Sequence, residues 1–418
     1  MAAGYGEILR ARHALRLLAG TLVGRLPNAV APLAVLLFVR AEGGSYSLAG
    51  ALAAVYGVAN AVGQPVLGRL VDLWGQPWVQ LPAVLLSALA TAAFAVVGTG
   101  VPAVAYGAMA VAGLSVPPLE GGLRALWPSI LRAERVQTAY AMDAVAQEVM
   151  FTVGPLLVSL CVAVWSARAA LLLINAVGVL GVVSVVVSGP SRAWRSAQRV
   201  PHWLGALRAP GLLALLGAFL FVGMALGSIA VVAVSYADTH GGDAVYGWLM
   251  AALGLGALIG GAAYGARPWA GAPERRLSVL VGLLTLGYLP LLLVPGPVAM
   301  TGLAVLAGVF LAPAIACAFV VVDRHAPVGT VTEAFSWLVT TFTVGSAAGS
   351  AVAGPVVEWG GTVRGFAVPG CAGAVAFLVL LATRQVLAAT GRAAEVEVAT
   401  ENDRNGVPEA GFSEGGRA

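Results

Sequence analysis

The chain has 418 residues, of which 59% are hydrophobic and only 10% charged, with a formal net charge of +4. Soluble domains carry about 25% charged residues, so this chain cannot cover a water-exposed surface of its size, and lipid must replace much of the water. No large soluble domain fits that composition, and a small positive charge spread through loops is no signal of nucleic-acid binding.

All 23 basic residues are Arg, which together with abundant Ala, Gly and Val points to a GC-rich bacterial genome. Without Lys, the Gly-x-x-x-x-Gly-Lys phosphate loop is impossible, which excludes ATP-driven pumping by this chain. Cys161, Cys317 and Cys371 lie inside apolar stretches, away from His, so neither a disulfide framework nor a metal site is expected. No nucleophile motif suggests an enzyme, and no cofactor is implied. His13, His202, His240 and His325 fall in polar segments, which disfavours a proton relay through His.

A helix crossing the bilayer core needs about 20 apolar residues, and the hydrophobic pattern predicts twelve of them. After an N-terminal segment, 1–13, span one is predicted at 15–39, too long for the core of a cleavable signal peptide. Spans two to six follow at 48–68, 79–98, 102–126, 138–165 and 168–187. A polar connection, 188–209, leads to spans seven to twelve at 210–235, 245–266, 277–295, 298–322, 332–357 and 365–384. Trp165-Ser166-Ala167-Arg168 and Pro295-Gly296-Pro297 supply turns at the two tightest junctions. The acidic tail, 385–418, is predicted to be disordered. The fold class is therefore an all-α integral membrane protein, with two pseudo-symmetric six-helix halves at 14–187 and 210–384.

Arg placement orients the bundle. Arg69, Arg132, Arg135, Arg192, Arg195, Arg199, Arg208, Arg267, Arg275, Arg276 and Arg324 occupy one set of connections. Only Arg40, Arg168 and Arg364 occupy the other. The positive-inside rule puts the Arg-rich face and both termini in the cytoplasm of a bacterial cell membrane. Phe151-Thr152-Val153-Gly154 in span five recurs as Phe342-Thr343-Val344-Gly345 in span eleven, an internal echo between equivalent helices.

The loop after span two reads Gly68-Arg69-Leu70-Val71-Asp72-Leu73-Trp74-Gly75-Gln76-Pro77. It resembles the loop motif Gly-x-Leu-x-Asp-Arg-x-Gly-Arg-Arg of the major facilitator superfamily. Gly68, Leu70, Asp72 and Gly75 match, while Leu73, Gln76 and Pro77 replace the basic residues. Gly154-Pro155 in span five resembles the core of the antiporter motif of that superfamily's drug exporters, although Val158-Ser159 replaces the small pair that follows. Tyr264-Gly265-Ala266-Arg267 is similar to the loop motif's second-half counterpart. The resemblance implies that spans one, four, seven and ten line a cavity and that three, six, nine and twelve face lipid. It also implies a latch, in which Asp72 meets a helix N-terminus of the other half; the plainer reading is an Asp that ends span two.

Charge inside a membrane is costly, about 2.5–3.5 kcal/mol at a helix centre. The candidates are Arg25 in span one, Glu120 and Arg124 in span four, and Asp143 and Glu148 in span five. None lies in a span that the resemblance turns to lipid. Arg25 follows Arg16 by nine residues, about 13 Å deep in a helix. Glu148 carries either a coupling proton or a structural ion pair with Arg25 or Arg124. Glu120 and Arg124, four apart, can pair on one helix face; an interfacial salt bridge with Arg124 reaching water is favoured over a proton-transfer role. Asp143 reads as interfacial. Thr330 and Glu333 fit a capping box at the start of span eleven. Pro27 and Pro32, Pro117-Pro118, Pro290 and Pro313 break spans one, four, nine and ten, and Asn28 beside the first kink is the best polar cavity candidate.

These features point to a secondary transporter whose partners are a small-molecule substrate, protons and lipid, and the resemblance implies a monomer. Proton-coupled efflux of amphipathic molecules leads. An importing permease for a sugar, amino acid or nucleoside, and a transport-dead sensor or assembly partner, are the alternatives.

Overall fold

The computed structural model describes residues 2–197, 202–267, 269 and 271–389, and among these every regular element is helical. Spans one, two and three are Ala14–Ala41, Tyr46–Trp74 and Gln76–Val97. Span four is in two pieces, Pro102–Leu114 and Leu119–Ile130; spans five and six are Ala133–Val164 and Ala167–Val186. Spans seven and eight are Pro210–His240 and Asp243–Gly265, and span nine is Pro273–Tyr288, tightened into a 3-10 turn at Leu289–Leu293 around Pro290. Span ten is again split, as Pro297–Gly308 and Leu311–His325. Spans eleven and twelve share the stretch Val331–Ala382, broken at Gly361, whose φ of 72° leaves the helical region. The chain thus crosses twelve times, with most backbone amides and carbonyls in the apolar layer paired within their own helix and groups freed at the breaks met by side chains such as Gln64.

Three segments are more ordered than the sequence implies. Residues Ala2–Arg10 form a short helix that buries Ile8. The connection between the halves holds a helix at Gly189–Ala193 and a 3-10 turn at Gly205–Arg208; Arg199 lies outside the described residues. Of the tail, 384–389 is helical with Leu387 buried, and residues beyond 389 lie outside the described part.

Small residues bring the helices together. Gly223 and Gly227 of span seven abut the backbone at Phe342 and Ser346 of span eleven, and Gly345 and Gly349 abut Leu220 and Met224 in return. Lipid gives little hydrophobic drive between helices, so close backbone approach must supply the packing energy. Gly345→Leu should therefore cost about 1–3 kcal/mol through overpacking, read as a lower thermal midpoint in detergent. Gly354→Leu, with open space around it, should leave the midpoint unchanged. Equal midpoints for the two variants would refute the close-packing account. Spans three, six, nine and twelve each turn a leucine outward (Leu89, 68% exposed; Leu180, 67%; Leu286, 60%; Leu378, 59%), as helices against lipid should.

The halves are held together from the Arg-rich face to mid-span. The Thr340 hydroxyl of span eleven donates to the Ala61 carbonyl of span two (3.2 Å), and the Tyr5 hydroxyl donates to the Ala262 carbonyl of span eight (3.1 Å). Among the described residues, no hydrogen bond joins the halves near the opposite face.

Candidate functional site

The break at Ser115–Pro118 restarts span four as a new helix, with Glu120 in its first turn and Arg124 one turn on. Arg25 of span one and Asp143 of span five approach from either side. Arg25 Nη2 lies 2.5 Å from Glu120 Oε1, and Arg25 Nη1 lies 3.5 Å from Asp143 Oδ1. Arg124 Nε donates to Asp143 Oδ2 at 2.7 Å, and its Nη2 lies 3.5 Å from Glu120 Oε2. Two guanidiniums thus face two carboxylates, and the cluster is neutral. Arg124 and Asp143 have no exposure and Arg25 only 5%, while Glu120 keeps 16%. Charges this buried persist only because each compensates another.

Two expectations fail here. Arg124 does not reach toward water, and Asp143 is not interfacial. Asp143 is fully buried against Arg25 and Arg124, and Arg124 is covered by the second half: its guanidinium carbon sits 3.6 Å from the ring centre of Phe319 in span ten and 5.7 Å from that of Phe335 in span eleven. Depth along a single helix says nothing about a lid supplied from another. Glu148 is half-buried and has no ion pair or side-chain hydrogen bond among the described residues. The structural pairing with Arg25 or Arg124 is absent, because Glu120 and Asp143 already occupy both guanidiniums.

Asn28 heads a polar ladder. Its Oδ1 accepts from the Tyr56 hydroxyl (3.0 Å) and from Asn60 Nδ2 (3.2 Å). Gln64 Nε2 donates to Asn60 Oδ1 (3.3 Å) and to the Val116 carbonyl (3.0 Å), which the break in span four leaves free. Tyr56, Asn60 and Gln64 recur every four residues, which places them on one helix face. That spacing is the sequence signal for the ladder, which the charged residues in the spans do not pick out.

Asp72 is buried at the first turn of span eleven. Its Oδ1 accepts from the Thr332 amide (3.1 Å) and its Oδ2 from the Glu333 amide (2.8 Å). A carboxylate there satisfies two unpaired N–H groups and the positive end of the helix dipole. The expected capping box does not form. Thr330 Oγ1 instead donates to the Pro327 carbonyl (2.7 Å), and the Glu333 carboxylate lies against Gly205 in the connection between halves. Gly68 lets span two close on Ser336 and Thr332, where a side chain would collide. Gly75 turns the chain between spans two and three with φ 89°, a conformation that favours glycine.

The residues that replace the motif's cations make neutral contacts or none. Gln76 is fully buried, donating to the Gly122 carbonyl (2.8 Å) and accepting from the Ser191 hydroxyl (2.9 Å). Leu73 is exposed. Arg69 grips the carbonyls of Trp203 (2.8 Å) and His202 (3.2 Å). In the second half, Gly265 admits Tyr5 and Ala141. Gly154 lies against Leu26 and Val30 of span one, as Gly345 lies against Leu220 of span seven, so each echoed glycine packs on the first helix of its own half. His325, expected in a polar segment, is buried 3.0 Å from Glu274.

Two six-helix halves, latched at one face over a neutral charge cluster, make the architecture of a multi-pass membrane transporter. The chain belongs to the Major Facilitator Superfamily, whose model matches residues 17–331. In structure it is similar to the human organic anion transporter MFSD10 (TETRAN), at 20% identity over 88% of this chain and 98% of that one, with a TM-score of 0.66. It is also similar to a bacterial homologue of the iron transporter ferroportin in the outward-facing state, at 15% identity over 89% of this chain and 99% of that one, with a TM-score of 0.71. Against that homologue with soaked iron the identity is 16%, the coverage 88% and 98%, and the TM-score 0.68. Identities this low carry the fold alone. No curated protein matches the sequence.

Proposed function

We propose that this chain is a proton-coupled secondary transporter that exports small amphipathic molecules by alternating access. The observation that carries the coupling is Glu148, a half-buried carboxylate inside span five with no ionic partner among the described residues. A carboxylate without an ionic partner in such a place is a group that can bind a proton and release it whenever water reaches it. The neutral cluster of Arg25, Glu120, Arg124 and Asp143, together with the Asn28 ladder, supplies the polar groups of the first half. With the Arg-rich face in the cytoplasm of a bacterial cell membrane, the Asp72 latch holds the exporter shut on its inner side. Halves bounded at 14–187 and 210–384 then rock about the fixed site. Gly154-Pro155 in span five supports export over import. One solved relative is an organic anion transporter and another a homologue of an iron transporter, so the comparisons do not choose a substrate for this chain.

The test uses purified monomer in proteoliposomes with an imposed pH gradient and a panel of cationic amphiphiles, sugars and amino acids. Wild type should dissipate the gradient in the presence of an amphiphile. Glu148→Gln should fold, bind and exchange substrate, yet lose gradient-driven accumulation. Full coupling in that variant would remove Glu148 from the mechanism, and the absence of any flux from wild type would point to a sensor.

A further inference from the structure

We infer that Phe319 is a positioning residue for Arg124, and that it ties the buried charge cluster to the closure of the Arg-rich face; this rests on the transport reading above. The Arg124 guanidinium lies flat enough on the Phe319 ring to bring its carbon within 3.6 Å of the ring centre. Around it the rings of Phe319, Phe335 and Tyr140 meet one another edge-on or tilted at 6.0–6.1 Å. All four side chains are at most 2% exposed.

Ownership of the cage walls is what matters. Arg124 and Tyr140 belong to spans four and five of the first half, whereas Phe319 and Phe335 belong to spans ten and eleven of the second. Closing the Arg-rich face therefore brings both rings that face Arg124 into place, and opening it removes them. Arg124 Nη1 is buried without a hydrogen-bond acceptor. The electron-rich ring face is what is offered to the cation there, with no water to compete. A guanidinium suits this role because it is planar, weakly hydrated and stacks on rings.

The cage also selects the ion pair. Pressed against Phe319, Arg124 points Nε at Asp143 (2.7 Å), while Glu120 is left chiefly to Arg25. When the second half withdraws, Arg124 is free to leave Asp143 for Glu120, the cluster member with the most exposure. Gate position and ion-pair choice are thereby linked through one ring.

The experiment places spin labels at Ala133→Cys and Val328→Cys, exposed sites in the two halves at the Arg-rich face, in a Cys161→Ser, Cys371→Ser background of the full chain in nanodiscs. Phe319 is replaced in turn by mono-, di- and trifluorophenylalanine, which keep the ring's shape while draining its negative face. The interlabel distances should show the closed-to-open ratio falling stepwise, by roughly 30-fold at the trifluoro ring, the scale of a desolvated cation–π contact. Phe319→Tyr should hold the closed state, and Phe319→Leu should match the trifluoro ring. A flat response across the fluorinated series would overturn the inference, even if Phe319→Leu opened the gate, since the ring would then only fill space. The distance readout needs no transport, so an absence of proton-driven flux in wild type would sink the transport reading without deciding this one.

Discussion

Replacing Asp143 by Asn should cost about 3–5 kcal/mol of folding stability, because it strands buried guanidiniums that have no water to turn to. Asp143 serves both Arg124 and Arg25 and has no exposure of its own. Unfolding in mixed micelles, followed through the chain's 10 Trp residues, measures the loss. Glu120→Gln is the internal comparison. Glu120 is partly exposed, so water can help to solvate Arg25 and the loss should be smaller. The paired change Arg124→Met with Asp143→Leu should recover most of the stability, since well-packed apolar groups replace a buried ion pair at little cost. It should not recover transport. Equal losses for Asp143→Asn and Glu120→Gln would mean that the cluster is wetter than its burial implies.

The second large effect concerns the gate. Asp72→Asn keeps the side chain's shape but removes the charge from the first turn of span eleven. A charge-assisted cap at a buried helix N-terminus contributes about 1–2 kcal/mol, and that contact exists only while the halves are closed. The closed-to-open ratio should therefore fall by about tenfold, read from the same pair of labels at Ala133→Cys and Val328→Cys. Thr330→Ala should leave the ratio unchanged, because the Thr330 hydroxyl bonds the Pro327 carbonyl and no helix amide. A shift in Thr330→Ala and none in Asp72→Asn would reverse the assignment of the cap.

The contrast between Asp72 and Thr330 shows where sequence reading stops. Thr330 and Glu333 satisfy the spacing of a capping box, and a local rule can see nothing else. Asp72 is 260 residues away from Thr332, yet it wins the amides, because a carboxylate is a stronger acceptor than a hydroxyl and the closed halves bring it there without further ordering. The same limit explains Asp143. One turn inside a span, it looks interfacial by depth, but its side chain is fully buried against Arg25 and Arg124, and Phe319 and Phe335 arrive from the other half to cover Arg124. Glu148 differs again: its isolation is decided by competition, since Glu120 and Asp143 stand closer to both arginines.

What the sequence determined by itself is what period and composition can encode. Few charges, long apolar runs and Arg asymmetry require twelve helices in lipid, and Pro117-Pro118, Pro290 and Gly75 mark where helices break, tighten or turn. The charged positions Arg25, Glu120, Arg124, Asp143 and Glu148 were visible as costly exceptions. Which of them pair, which one stands alone and what covers them were decided only by tertiary structure. Those outcomes depend on distances and dielectric set jointly by helices far apart in the chain, and no local pattern carries that information.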